Sequence, residues 1–222
     1  MTDLTKWKPC NPPGHDVLAG QYCVLKPYVE EEHLRALFDA ICGPGNNGLW
    51  SYVPMGPFES PEALAAMLTA TNTHHGWQTM VIEVDGQLLG MASYMRIRAD
   101  HGSAEVGCVI FGPELKRTCA ASEAIYLMGR HLFDDLGYRR YEWKCNNAND
   151  ASKRAALRFG FRFEGVFRND MVMKGKNRDT AWYAMTDGDW QVVKPIFDNW
   201  LSAGNFDEEG MQLSKLRAGE AF

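Results

Sequence analysis

The sequence predicts an α/β fold, one domain built on a mixed, mostly antiparallel twisted sheet of about seven strands with helices on both faces. Three observations carry this. Apolar and polar residues alternate around Met80–Val84, Tyr141–Cys145 and Phe161–Phe167, the pattern of strands with one buried face. Between such runs lie segments whose apolar residues recur three and four apart, as on one face of a helix. Asp85-Gly86 stands between two strand-like runs as a two-residue hairpin turn, which requires antiparallel neighbours.

Each element follows in order. Gln21 to Pro27 reads as a strand, and Leu34, Leu37, Phe38 and Ile41 as the inner face of a helix. Residues 43–58 hold Gly, Pro and Asn around Trp50, Tyr52, Met55 and Phe58, a long loop with aromatic cargo. Ser60-Pro61 starts a second helix over about 61–73, because a hydroxyl caps free amides and proline fits a first turn. The hairpin at Asp85-Gly86 follows, then a strand over Ala104–Phe111 that breaks at Gly112-Pro113. A helix bearing Ala121, Ala124, Met128 and Leu132 closes at Gly137, and the Tyr141 strand stops at the polar stretch Asn146–Asp150. A short helix ends at Gly160. A second hairpin turns at Lys174–Asn177, and Asp189 is expected to cap a last helix with Trp190, Val193, Phe197 and Trp200 inward. Residues 1–20 read as an N-terminal extension and 204–222 as a charged tail without clear pattern.

The chain of 222 residues is long enough for one sizeable core, with no composition shift to mark a second domain. No apolar run suits a membrane span, and the start lacks the layout of a signal peptide, so a cytoplasmic protein is expected. The six cysteines include no CxxC pair and His74 and His75 are adjacent, so neither disulfides nor a metal site is expected. A net charge of −5 argues against general nucleic-acid binding.

A strand, a short turn and a long helix over residues 105–136 offer a local anion site. Free amides and the positive end of the dipole at a helix start attract phosphate, and Cys119, Ala120, Ala121 and Ser122 are small enough to let a ligand approach. Many strand-turn-helix units share these features without a ligand. The order of further motifs adds to this: Ser122-Glu123-Ala124, FDDLGYRRYEWKC, Asn149 and Ser152 in N-x-x-S, Gly160-Phe161, FEGVFRND and RDTAWYAM. Over residues 20–187 this constellation resembles the GNAT acetyltransferases, in the RimJ/RimL-like branch of ribosomal-protein N-terminal acetyltransferases.

The resemblance implies acetyl-CoA as cosubstrate, no metal, and transfer of the acetyl group to a primary amine of a small molecule or peptide N-terminus by direct attack. It assigns the pyrophosphate loop to Lys116, Arg117, Thr118, Cys119, Ala120, Ala121 and Ser122, with Cys119 standing where the family has glycine. Asn149 falls at the position that bonds the pantetheine arm, though it also suits a helix cap. Ser152 falls where a serine protonates the departing thiolate. A backbone amide in Val109, Ile110 and Phe111 would steady the oxyanion. The branch's glutamate falls on Met171, which leaves Asp170 beside it, or Glu105 acting through water, as the base, although each reads first as an ordinary surface carboxylate. Glu123 and Glu164 also lie in family motifs, where a structural ion pair explains them as well. The aromatic loop with Trp50, Tyr52, Met55 and Phe58 would wall the acceptor site or plug the core beneath it. Two other readings stay open: a catalytically inactive CoA-binding sensor or partner-binding module, and transfer of another acyl group such as succinyl, with Arg98, Arg168 or Arg178 meeting its carboxylate. The terminal hairpin and last helix suit a homodimer.

Overall fold

In the computed structural model, which describes residues 3–222, the chain runs through β1 (Leu18–Ala19), β2 (Val24–Pro27), α1 (Glu30–Ile41) and α2 (Pro61–His75). The hairpin β3 (Gln78–Val84) and β4 (Gln87–Arg98) follows, then β5 (Ser103–Phe111), α3 (Cys119–Arg130), β6 (Arg140–Asn146) and α4 (Asp150–Arg158). A long hairpin, β7 (Arg162–Met173) and β8 (Lys176–Thr186), precedes α5 (Asp187–Trp200). Eight strands form one sheet in the order β1-β2-β3-β4-β5-β6-β8-β7, antiparallel except for β5 against β6. The crossover that allows that parallel pair is α3.

Turn chemistry sets both hairpins. Asp85 and Gly86 take φ of 48° and 79°, and Lys174 and Gly175 take 49° and 75°, the positive pair that matches the twist of the flanking strands. The second turn is therefore two residues, tighter than the loop expected at 174–177, and its strands are longer. The strand beyond the expected seven is β1, which is too short to show an alternation.

The sheet separates two cores. On one face Ala104, Val106, Tyr141 and Trp143 meet α3 and α5 residues such as Leu127, Trp190 and Phe197. On the other, Val81, Met91 and Ile110 meet Leu37 and Ile41 of α1, Leu64 and Leu68 of α2, and Trp50. Ser60 caps α2 as expected, accepting from Ala63 N at 3.3 Å. At α5 the cap is Thr186 rather than Asp189; Asp189 is the third helical residue and returns its carboxylate to Thr186 N at 2.9 Å, completing a capping box. The C-terminal segment has order that its sequence does not advertise. Leu216 and Ala218 are buried, and Trp200 Nε1 donates to Ser214 O at 3.0 Å.

Candidate active site

The site begins where two strands part. The parallel register of β5 and β6 runs from Ser103↔Arg140 to Val106↔Trp143 and stops there, although both strands continue. On its other side β5 keeps pairing with β4 but bulges: Ser93 sits opposite Gly107 and Met91 opposite Ile110, so Cys108 and Val109 together face Ala92. Cys108 takes φ of 46° to make the extra residue fit. The bulge bends the end of β5, and β5 and β6 part in the middle of the sheet. Of the three residues expected to supply an amide, Val109 lies in the bulge, while Ile110 and Phe111 are back in the ladder against Met91 and Gly90.

The first turn of α3 stands beside this opening. Thr118 is its N-cap, accepting from Ala121 N at 3.1 Å and donating to Leu115 O at 2.7 Å. Lys116 N and Thr118 N are spent within the loop, on Gly112 O and Leu115 O. The backbone donors left for an anion are those of Arg117, Cys119 and Ala120, fewer than the whole 116–121 stretch. The strained residue is Arg117, with φ of 65°, whereas Cys119 has ordinary helical geometry and its side chain is accommodated. Burial pushes the Cys119 thiol up, so it is not an activated nucleophile. Ser122 faces inward, accepting from Arg158 at 2.9 Å. A cleft of about 490 Å³ touches Thr118, Cys119 and Ala120 of this turn and is rimmed further out by Glu83, Asp85 and Glu114, carboxylates that disfavour phosphate there.

At the end of β6, Asn149 caps α4 through Oδ1 to Ser152 N at 3.1 Å, which leaves its amide NH₂ for other partners. Trp143 Nε1 donates to Ser152 Oγ at 3.0 Å. An indole N–H can only donate, so Ser152 keeps its own proton to give. Burial raises the Cys145 thiol, and the Ser152 hydroxyl lowers it in part.

The opposite face of the same strands carries a buried ion network. Lys144 Nζ lies 2.6 Å from Glu105 and 3.2 Å from Glu142, and Arg98 and Arg140 reach Glu142 at 2.8 and 2.7 Å. The side chains of Glu105 and Lys144 are each 7% exposed, so Glu105 is not the surface carboxylate it resembles in sequence. Burial raises the Glu105 carboxyl, with Lys144 opposing; at Glu142 burial also acts upward, but Arg140 and Lys144 outweigh it and the carboxyl is lowered. Asp170 is exposed, in a β7 bulge where Arg168, Asn169 and Asp170 face Asp179 alone. Glu164 pairs with Arg140 at 2.6 Å, and Glu123 is structural, taking three amides of residues 21–23.

Residues 43–58 contain a 3₁₀ helix, Pro44–Trp50, rather than loop throughout. Trp50 is fully buried, stacks edge-on against Phe58 at 5.0 Å and donates from Nε1 to Ile41 O at 2.9 Å, so it belongs to the core and does not itself line an open wall. Tyr52 is 42% exposed, and Met55 and Phe58 are partly exposed. The tip of the β7–β8 hairpin reaches this segment, with Lys174 Nζ on Trp50 O at 2.8 Å. Trp50→Ala is expected to destabilise the fold by about 3–5 kcal/mol, read from urea denaturation.

Sequence reasoning passed over Trp143 and Lys144, which alternation places on opposite faces of β6 without showing what each touches. It also passed over Trp182, whose ring centroid lies 3.9 Å from Lys144 Nζ. With this geometry the class of protein is defined: the chain belongs to the GNAT family, whose members are acyl-CoA-dependent N-acetyltransferases. The family's model, an acetyltransferase (GNAT) domain, matches residues 23–162. A GCN5-related N-acetyltransferase from Brucella melitensis is 35% identical, with TM-score 0.92 over 99% of this chain and 100% of that one. The uncharacterized N-acetyltransferase YoaA of Bacillus subtilis (strain 168) is 34% identical over 109 residues, 49% of this chain; the match spans 57% of YoaA's length. An acetyl transferase from Salmonella typhimurium that modifies the N-terminal serine of ribosomal protein L7/L12 shares the fold, with TM-score 0.65 over 77% of this chain and 99% of that one, at 18% identity.

Proposed function

We propose that this chain moves an acetyl group from acetyl-CoA to a primary amine, of a small molecule or a protein N-terminus, by direct attack in a ternary complex. The observation that carries this reading is the parting of β5 and β6 at Val106↔Trp143, with the α3 terminus and the Asn149 cap at its mouth. Arg117, Cys119 and Ala120 N–H would hold the diphosphate, with Lys116 and Arg117 adding charge. The Asn149 amide would hold the pantetheine arm.

The acceptor then comes from the face that carries Glu105 and Lys144. An α-amine loses its proton near pH ~8 and a lysine amine near ~10.4, so the second needs more help. Glu105, beside Gly107 below the bulge and raised by burial, is better placed than exposed Asp170 to take that proton through water. The amine nitrogen attacks the thioester carbonyl, and the oxyanion is steadied by the Val109 amide in the bulge. The C–S bond breaks, and Ser152 gives its proton to the leaving sulfur.

Calorimetry with acetyl-CoA, followed by thiol release on a panel of amines and peptide N-termini, tests this reading. Binding with turnover supports it; binding without turnover leaves the sensor reading, and no binding overturns both. Because a thiol with pKa ~8.5 leaves readily, Ser152→Ala is expected to lower kcat only about tenfold, with unchanged acetyl-CoA affinity.

A further inference from the structure

The face proposed to receive the acceptor carries more positive charge than its own carboxylates balance. Glu142 is shared by Arg98, Arg140 and Lys144, and Glu105 by Lys144 and, at 3.8 Å, by Arg96. Glu164 goes to Arg140. Arg178 pairs with no carboxylate among the described residues: its Nε meets Thr180 Oγ1 at 3.2 Å and another nitrogen lies 3.8 Å from Met173 sulfur. Five cations thus meet three carboxylates on a chain whose net charge is −5. Such a reversal of sign is a local field, and a field of this kind selects ligands by charge.

Trp182 lies against two of these cations and shares a strand face with a third, Arg178. Residues 178, 180 and 182 alternate onto one face of β8, as the Arg178–Thr180 contact confirms. Lys144 and Arg96 both lie over the Trp182 ring, at 3.9 and 5.4 Å from its centroid, and Phe167 packs on it at 4.6 Å. The indole Nε1–H is buried and meets no acceptor among the described residues. A buried donor left without a partner is costly, and an acceptor from outside the chain meets it once the ring or its neighbours shift to admit one. Water satisfies the N–H but leaves the charge of Arg178 and Arg96 unbalanced; an anionic acceptor group answers both. Arg96 also holds a left-handed φ of 46° at the β4 bulge, backbone strain that places its guanidinium on this face with 54% of the side chain exposed.

We infer that the acceptor is an amine that also carries a carboxylate, seated at Trp182 between Arg178 and Arg96, with the amine directed to the cleft between β5 and β6. The inference rests on the transferase reading above and narrows its acceptor. The carboxylate belongs either to a small amino acid or to an acidic residue at a peptide N-terminus.

Two matched pairs of probes separate these sources: β-alanine against β-alaninamide, and the tripeptide amide Asp-Ala-Ala against Asn-Ala-Ala. Each is titrated into ¹⁵N-labelled protein, with the Trp182 indole resonance assigned by its loss in Trp182→Phe, and into unlabelled protein by calorimetry. The carboxylate member of one pair is expected to shift the Trp182 resonance saturably and to bind roughly tenfold tighter than its amide. Arg178→Gln is expected to erase that preference and Arg178→Lys to keep most of it. A Trp182 resonance that responds equally to both members of both pairs, or a preference untouched by Arg178→Gln, overturns the inference. The readout needs no turnover, so it separates from the transferase reading, which fails on acetyl-CoA binding.

Discussion

Glu123→Ala is expected to cost the fold about 3–5 kcal/mol, because one buried carboxylate serves three backbone donors at once. Gln21 N, Tyr22 N and Cys23 N reach it at 2.7, 2.6 and 2.9 Å, so a residue inside α3 ties down the turn between β1 and β2. No nearby side chain replaces it: Gly20 sits so close to the carboxylate that an added Cβ there would lie 2.4 Å from it. Alanine strands the Cys23 amide inside the protein and leaves the other two partly wet. Glutamine keeps the two bonds made at one oxygen, from Tyr22 N and Cys23 N, and sets its NH₂ against Gln21 N, so it recovers part of the loss. The measurement is urea denaturation, with the midpoint falling and the slope unchanged. A loss below ~1 kcal/mol would mean that water satisfies all three amides, and that the segment is held by the Leu18–Leu25 pairing instead.

The contrast between Glu123 and the hairpins shows which parts of this molecule its sequence makes readable. Asp85-Gly86 and Ser60-Pro61 act within a few residues of themselves, so their chemistry is written locally and the structure follows it. Asn149 and Ser152 were likewise visible as a spaced pair, and Asn149's capping of Ser152 N is as local as its spacing suggests. Glu123 reaches about a hundred residues back along the chain, and Trp143's bond to Ser152 depends on how β6 meets α4. The bulge rests on a left-handed Cys108 and the α3 turn on a left-handed Arg117, residue types that give no warning of that conformation. Trp50 looked like loop cargo because its neighbours are Gly, Pro and Asn; its indole bond to Ile41 O and its burial against the second core come from packing alone. Along β6 the alternation of Glu142, Lys144 and Asn146 reads as a solvated face, and it is the Trp182 ring of the long terminal hairpin that covers it.

That covered face sets the second large effect. Lys144→Met is expected to destabilise the protein by about 3–5 kcal/mol near neutral pH, since it removes the cation that two buried carboxylates share. The two carboxylates do not suffer equally. Glu142 retains Arg98 and Arg140, whereas Glu105 is left with Arg96 at 3.8 Å. Burial already raises the Glu105 carboxyl and Lys144 is the largest influence opposing it, so the substitution moves it further up. A carboxyl raised in the folded state binds its proton more tightly there than in the unfolded chain. Its contribution to stability therefore falls as pH rises from the ordinary carboxylate range through the raised value, and is regained on acidification. The variant's deficit should be largest above neutrality and should shrink toward pH ~5, as Glu105 takes up a proton and its buried charge disappears. Glu105→Gln added to Lys144→Met should remove most of that pH dependence, because the group that titrates is gone. Urea denaturation of both variants across this range checks the sign, and a deficit independent of pH would place the loss in packing against Trp182 rather than in the stranded charge.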